Sequence, residues 1–184
     1  MSMIWDAPLA SAVAKELNAR LAGARLRGFL IDWNRRELTL FFRSHTLRWA
    51  LHPAEGWVTL SPPEEPPDAL RPLAAEVLEV QALPDERVLR ILLRRVRGRV
   101  RVVQVVIELI TNQWNALILE EAAGWIRHIV SSRRSGDRDL SVGRAYRPPD
   151  PTLRKGRDRD LTETDWGRLF GGPESEEDPS TLLE

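Results

Sequence analysis

Seven arginines, Arg87, Arg90, Arg94, Arg95, Arg97, Arg99 and Arg101, crowd a fifteen-residue stretch of this chain. Residues two apart on a strand share a face, so Arg99 and Arg101 point one way and Arg90 and Arg94 share a face of the partner strand. A sheet face studded in this way can follow a phosphate backbone. The same pattern also serves a solvated face whose charges block edge-to-edge aggregation. Asp85-Glu86-Arg87 follows Pro84 at a strand start. A carboxylate beside a guanidinium can hold it in one geometry for bidentate recognition, or simply sit in an ordinary turn. Glu108 lies near the end of an apolar strand, with Val100, Val102, Gln104, Val106 and Ile110 on its face. A carboxylate there must find a partner, an arginine being the plain choice, or reach the rim. Thr111-Asn112-Gln113-Trp114-Asn115 sets amides beside an indole, which suits base stacking and edge hydrogen bonding. It equally suits a turn in which the Trp closes the core.

Other chemistries find little support. His45, His52 and His128 lack metal-ligand spacing. No serine sits in a nucleophile elbow, and no glycine-rich loop suits a phosphate. There is no cysteine, which removes disulfides, thiolate metal sites and thiol nucleophiles together. No metal or cofactor is therefore expected, nor any catalytic residue.

The elements that must carry these residues begin with a helix. Asp6 is its expected N-cap, Pro8 fits the first turn, and Gly23 is the stop. Leu9, Val13, Leu17 and Leu21 recur every four residues and predict its buried face. Period-2 segments follow at 25–33 and 37–42 around Asn34-Arg35-Arg36, then at 47–51 and 57–60. Four prolines in residues 62–67 break the pattern. A short helix is expected near 68–75, weakened by Pro72. Strands resume at 76–83, 87–95, 99–110, 114–119 and 125–130, with a tight turn at Gly98. One helix and eight or nine strands predict an α+β domain, mainly an antiparallel β sandwich or flattened barrel carrying an N-terminal amphipathic helix. From Ser131 the chain turns polar. Tyr146-Arg147-Pro148-Pro149 reads as an anchored extended segment, 161–170 as a short helix, and 171–184 as an acidic tail.

At 184 residues the chain suits one domain, expected over 1–150, and a polar C-terminal segment over 151–184. Net charge is zero but uneven. Residues 84–160 carry 17 basic and 10 acidic side chains, and residues 161–184 carry 1 and 7. A basic middle points to a polyanionic partner. Arginine supplies 25 of the 27 basic residues, as either phosphate binding or genomic base composition would produce. No apolar run approaches membrane-spanning length, and no secretory signal is visible at the N-terminus, so cytoplasm is the expected compartment.

The order of several motifs resembles the N-terminal domain of the NFACT family, which includes RqcH and proteins described as fibronectin-binding protein A. Asp6-Ala7-Pro8-Leu9 through Leu21-Ala22-Gly23 is similar to the family's opening helix and its exit. Ile107-Glu108-Leu109-Ile110 and Asn115-Ala116-Leu117-Ile118-Leu119 resemble its glutamate-bearing strand, loop and following strand. Trp125-Ile126-Arg127-His128-Ile129 and Tyr146-Arg147-Pro148-Pro149 resemble its later motifs. The chain departs from the family at 111–114, where Gly-Arg-His-Ser is usual, and at Glu86-Arg87, where Asp-Arg is usual. The resemblance covers about residues 4–150. It implies a fold like the N-terminal domain of formamidopyrimidine-DNA glycosylases. The terminal proline and glutamate of those enzymes are missing here, so their chemistry is rejected.

The resemblance further implies a non-catalytic module of ribosome-associated quality control. Its partners would be tRNA and the large ribosomal subunit carrying peptidyl-tRNA, and it would support C-terminal tailing of stalled chains. RNA-contacting positions would be Asp85, Glu86, Arg87, Glu108, Leu109, Ile110, Asn112, Gln113 and Asn115. The family's later helix-hairpin-helix region would follow this chain, which is then expected to be a fragment. An adhesin or protein-interaction module of the fibronectin-binding type is the alternative. Two geometric expectations need no family. Trp114 should be at least half buried. Pairing across a turn centred at 98 should make Arg87 and Glu108 neighbours at the hairpin end that emits the 111–115 loop.

Overall fold

The structure, a computed structural model, describes residues 5–84, 86–97, 102–110, 114–120, 124–135, 138–149 and 162–164. The chain divides into two compact units, Met1–Arg147 and Pro148–Glu184. In the second, residues 163 and 164 are helical, and the rest of the expected 161–170 helix lies outside the described residues.

The first unit opens with α1, Ala7–Leu21. Asp6 is the N-cap, its carboxylate accepting from Leu9 N–H at 2.8 Å, and Gly23 leaves the helix at φ +77°. The buried face is Ala10, Ala14, Leu17 and Leu21, rotated from the expected leucine–valine row. Leu9 and Val13 flank it. The alanines let the helix backbone lie close to the sheet, so the larger residues are displaced to the sides.

Nine strands follow in one antiparallel sheet: β1 Arg25–Asp32, β2 Glu37–Phe42, β3 Thr46–Ala50, β4 Trp57–Ser61, β5 Arg71–Ala82, β6 Val88–Arg95, β7 Val102–Glu108, β8 Asn115–Glu120 and β9 Trp125–Ile129. Their order is β4-β3-β2-β1-β5-β6-β7-β8-β9. The sheet is not closed, but it curls until β9 meets β1. Trp33 Nε1 donates to the Ile129 carbonyl at 3.1 Å, and the Phe29 and His128 rings lie 5.1 Å apart. The α+β, antiparallel, sandwich-like architecture is as expected, built from one bent sheet instead of two.

No helix forms near 68–75: residues 68–70 lead by a turn into β5, which takes up 71–75. Pro72 is tolerated there because it sits opposite Gly28 of β1, before the β6 ladder begins at Ala75. Bulges at Leu26/Gly28 and Val77/Glu79 bend the sheet, and Asn18 Oδ1 of the helix takes up the Val80 N–H at 2.8 Å. A small hairpin, β10 Arg133–Ser135 with β11 Arg138–Leu140, lies in the stretch after Ser131 that reads only as polar in the sequence.

Two apolar clusters sit on opposite faces of β6–β8. The larger gathers α1, the inward faces of β1–β3 and β5, and Leu89, Ile91, Val103, Val105, Ile107 and Ala116. It includes Trp5, Trp49 and Trp114, with Trp5 ring centroids 5.8 Å from Trp49 and 6.0 Å from Trp114. Trp114 is 4% exposed, as expected from its alternation with Ala116 and Ile118. The smaller cluster holds Val88, Val106, Leu117, Leu119, Ile126, Ile129 and Leu140, with Tyr146 against it. The chain after β9 covers this second face.

Candidate functional site

Strand alternation decides what the end of the β6–β7–β8 ladder presents. Val88 pairs with Glu108 and Glu108 with Asn115, so these three share the face of the smaller cluster. Glu108 is completely buried. An isolated carboxylate could not remain there. Its two oxygens are filled by three donors from the covering segment. Arg133 Nη2 reaches Oε2 at 2.7 Å, Tyr146 Oη donates to Oε1 at 2.9 Å, and Arg138 Nη2 donates to the same Oε1. Arg138 is locked further by the Arg147 carbonyl, which accepts from Nη2 at 2.8 Å and Nε at 3.1 Å.

The electrostatics follow from this packing. Burial pushes the Tyr146 hydroxyl far up and the adjacent carboxylate adds to the effect, so Tyr146 stays a donor at every physiological pH. Burial also pulls Arg133 down from the usual arginine range, opposed by Glu108, and Arg138 pulls the same way. One carboxylate thus holds two guanidiniums, leaving a net charge of one positive, and the arginine side chains keep 18% and 21% of their surface open. Arg134, Arg144 and Arg147 are exposed on the same segment, Arg144 beside Asp139 at 3.4 Å. Arg90 lies on this face opposite Val106, its buried Nε without a hydrogen-bond partner. The end of the ladder is a rigid surface with excess positive charge.

Asn115 is also completely buried. Its Oδ1 accepts from Ser131 N–H at 3.0 Å and its Nδ2 donates to the Ser131 carbonyl at 2.7 Å, which clamps the start of the covering segment. Leu109 is buried in the larger cluster, and Ile110 packs at the edge of the smaller one. Glu86 is 6% exposed, its N–H bonded to the Leu83 carbonyl at 3.2 Å.

Arg87 is where its position in the ladder dictates: its carbonyl accepts from Leu109 N–H at 2.8 Å, so Arg87 and Glu108 do reach the same end. Their side chains leave by opposite faces. Arg87 Nη1 approaches the Trp5 carbonyl at 3.4 Å, toward the tryptophan cluster, so the two are not partners. Asp85, Asn112 and Gln113 lie outside the described residues.

Arg133, Arg138 and Tyr146 were not singled out from the sequence as site residues. The Gly136-Asp137 pair between two arginine-bearing segments is a hairpin signal that could have found the first two. Among the described residues no group of histidine, cysteine and carboxylate side chains could hold a metal ion.

Comparison with solved structures finds this fold in streptococcal and staphylococcal proteins, among them the following three. The N-terminal domain of fibronectin-binding protein PavA from Streptococcus pneumoniae superposes with a TM-score of 0.67 at 18% identity, over 92% of this chain and 73% of that one. The N-terminal part of the fibronectin/fibrinogen-binding protein of Streptococcus suis gives 0.62 at 20% identity, over 80% and 62%. The fibrinogen-binding protein of Staphylococcus aureus gives 0.64 at 17% identity, over 80% and 57%. No protein-family model matches the sequence, and no curated protein does. The likeness establishes a shared fold.

Proposed function

We propose that this chain is a non-catalytic RNA-binding module that engages tRNA and the large ribosomal subunit during rescue of stalled translation in the cytoplasm. The observation that carries the reading is the surface built on Glu108. A single buried carboxylate holds two partly open guanidiniums rigid inside a rim of exposed arginines. Guanidiniums fixed in place meet phosphate oxygens with little loss of side-chain freedom, which is the means by which backbone contacts position RNA. The motif order from the opening helix to Tyr146 supports the choice of tRNA as the RNA. Among the described residues no helix is long and apolar enough to cross a membrane.

Equilibrium binding of labelled tRNA across a salt series tests the reading. The wild-type chain should bind with an affinity that falls steeply with salt. Arg134→Ala and Arg147→Ala remove exposed cations without touching the Glu108 cluster, so each should weaken binding and lower the salt slope by about 1. Affinity indifferent to salt, or unchanged in both variants, overturns the proposal. A second reading, binding of fibronectin or fibrinogen, is favoured by what the structural neighbours are named for. Immobilised fibronectin and fibrinogen presented to the same preparations decide it. Saturable binding there with none to tRNA reverses the order of the two readings.

A further inference from the structure

The far end of β6 carries a second basic feature, about 24 Å along the strand from Glu108 at 3.4 Å per residue. The register shifts at Leu26/Gly28 in both ladders that β1 shares, the extra residue lying on β1 against β2 and on β5 against β1. A bulge bends its strand and re-aims the neighbouring side chains. Here it leaves a cleft of about 330 Å³ whose floor is Leu26 and Ala75 and whose rim is Arg25, Arg27, Arg43, Val96 and Arg97. The walls are tied by backbone bonds, Arg43 N–H to the Arg25 carbonyl at 2.9 Å and Val96 N–H to the Ala74 carbonyl at 3.1 Å.

Among the described residues the charge here is compensated only in part. Arg27 is paired with Glu65 at 3.2 Å. Glu76 lies across the ladder from Arg25 but is paired with Arg94 at 3.0 Å. Among the described residues Arg25, Arg43 and Arg97 have no ion pair, and no carboxylate lines the cleft. Beside these cations Val96 stands 58% exposed over a buried leucine and alanine. Guanidiniums around an apolar floor match a ligand that is anionic at one end and flat and apolar at the other, and the volume falls in the range of small-ligand pockets.

We propose that this cleft binds a nucleoside monophosphate unit, its phosphate between Arg43 and Arg97 and its base against Val96. The unit is either a free nucleotide or one residue of a single RNA strand. The strand source rests on the RNA reading above, and the free-nucleotide source does not.

The experiment follows backbone amide resonances of Ala74, Ala75 and Val96 in the isotope-labelled full chain. The additions are adenosine monophosphate, a 5′-phosphorylated single-stranded oligoribonucleotide, and inorganic phosphate. Saturable shifts with either nucleotide probe, lost or weakened at least about tenfold in an Arg43→Glu/Arg97→Glu variant, support the site. Shifts with the oligonucleotide alone assign the strand source, and shifts with the mononucleotide assign the free source. Equal shifts with inorganic phosphate at the same concentration reduce the site to an anion contact and overturn the proposal. So does silence with every probe, or shifts that survive in the double variant. Arg134→Ala keeps the two readings separate. Loss of tRNA affinity there with the nucleotide shifts intact locates the two effects at opposite ends of the sheet. Absence of tRNA binding by every protein, with the mononucleotide shifts present, removes the RNA reading and leaves the cleft.

Discussion

Glu108 is completely buried beneath Arg133, Arg138 and Tyr146, so what it contributes is the position of others. Removing its charge while keeping its shape is therefore a test of stability before it is a test of binding. In Glu108→Gln the amide presents one acceptor and two donors where three donors converge, and both guanidiniums lose their counter-charge. The expected cost is about 3 kcal/mol, at the low end for breaking a buried pair because each guanidinium keeps a fifth of its surface in water. Urea unfolding of the two proteins measures it. A midpoint unchanged within error would mean that the covering segment does not depend on this carboxylate. Arg134→Ala is the complement, since its side chain is exposed and outside the cluster. It should leave the unfolding midpoint where it is while lowering tRNA affinity.

At the scale of elements, the two ladders that meet on β1 are bent where a side chain has no room. A Cβ on Gly28 would strike the Arg71 carbonyl of β5, which is backbone and cannot turn aside, and would lie 2.9 Å from Leu70 Cγ. Gly28→Ala should cost about 1–3 kcal/mol through overpacking, read as a lower thermal midpoint. Full stability would show that the β1–β5 spacing can relax there. The same strand shows what the residue pattern made legible. Period-2 alternation located β1 to β4 and β6 to β9 within a few residues, because alternate residues of β1 to β3 and β6 to β8 enter the larger cluster, even where, as in β2 and β8, the other face is buried too. It failed where a different force decided. Pro72 read as a helix-weakening residue, yet the missing β6 neighbour at that point of the ladder makes it harmless in a strand. The helix period was right and its face was rotated, since alanines pack closer than leucines can. β10 and β11 have no apolar alternation to reveal them, being held by ion pairs to a residue 25 and 30 positions earlier. Counting residues across the turn correctly brought Arg87 and Glu108 to one end. Parity, which sends adjacent cross-strand positions to opposite faces, separates their side chains.

At the scale of the whole unit, β9 and β1 meet at a seam that no ladder closes among the described residues. Trp33 reaches across it to the Ile129 carbonyl at 3.1 Å, with the Arg71 guanidinium 5.4 Å from the centre of its ring. His128 fills the gap beside Phe29, and Arg71 Nη1 lies 3.3 Å from its Nδ1. A guanidinium has no acceptor, so Nδ1 must accept, and the ring is neutral with its proton on Nε2. Burial holds the His128 pKa below 6.5, and Arg71 and Arg127 push the same way against the opposing pull of Glu120. The unfolded chain therefore binds this proton more readily than the folded one. Stability from the neutral ring is complete above pH 6.5 and is lost as pH falls from there through the lowered folded value. Protonation places a third cation against Arg71 and Arg127 and removes the acceptor at Nδ1. Thermal midpoints taken from about pH 7.5 to about pH 5.5 should fall in the wild-type chain, beyond any fall in His128→Gln, whose amide keeps an acceptor and does not titrate. Equal slopes in the two proteins would show that the seam is indifferent to this proton. A steeper fall in wild type, with a fluorescence change over the same pH interval that a Trp33→Phe variant lacks, would place the opening at the β1–β9 seam and not at the Glu108 cluster on the opposite face of the ladder.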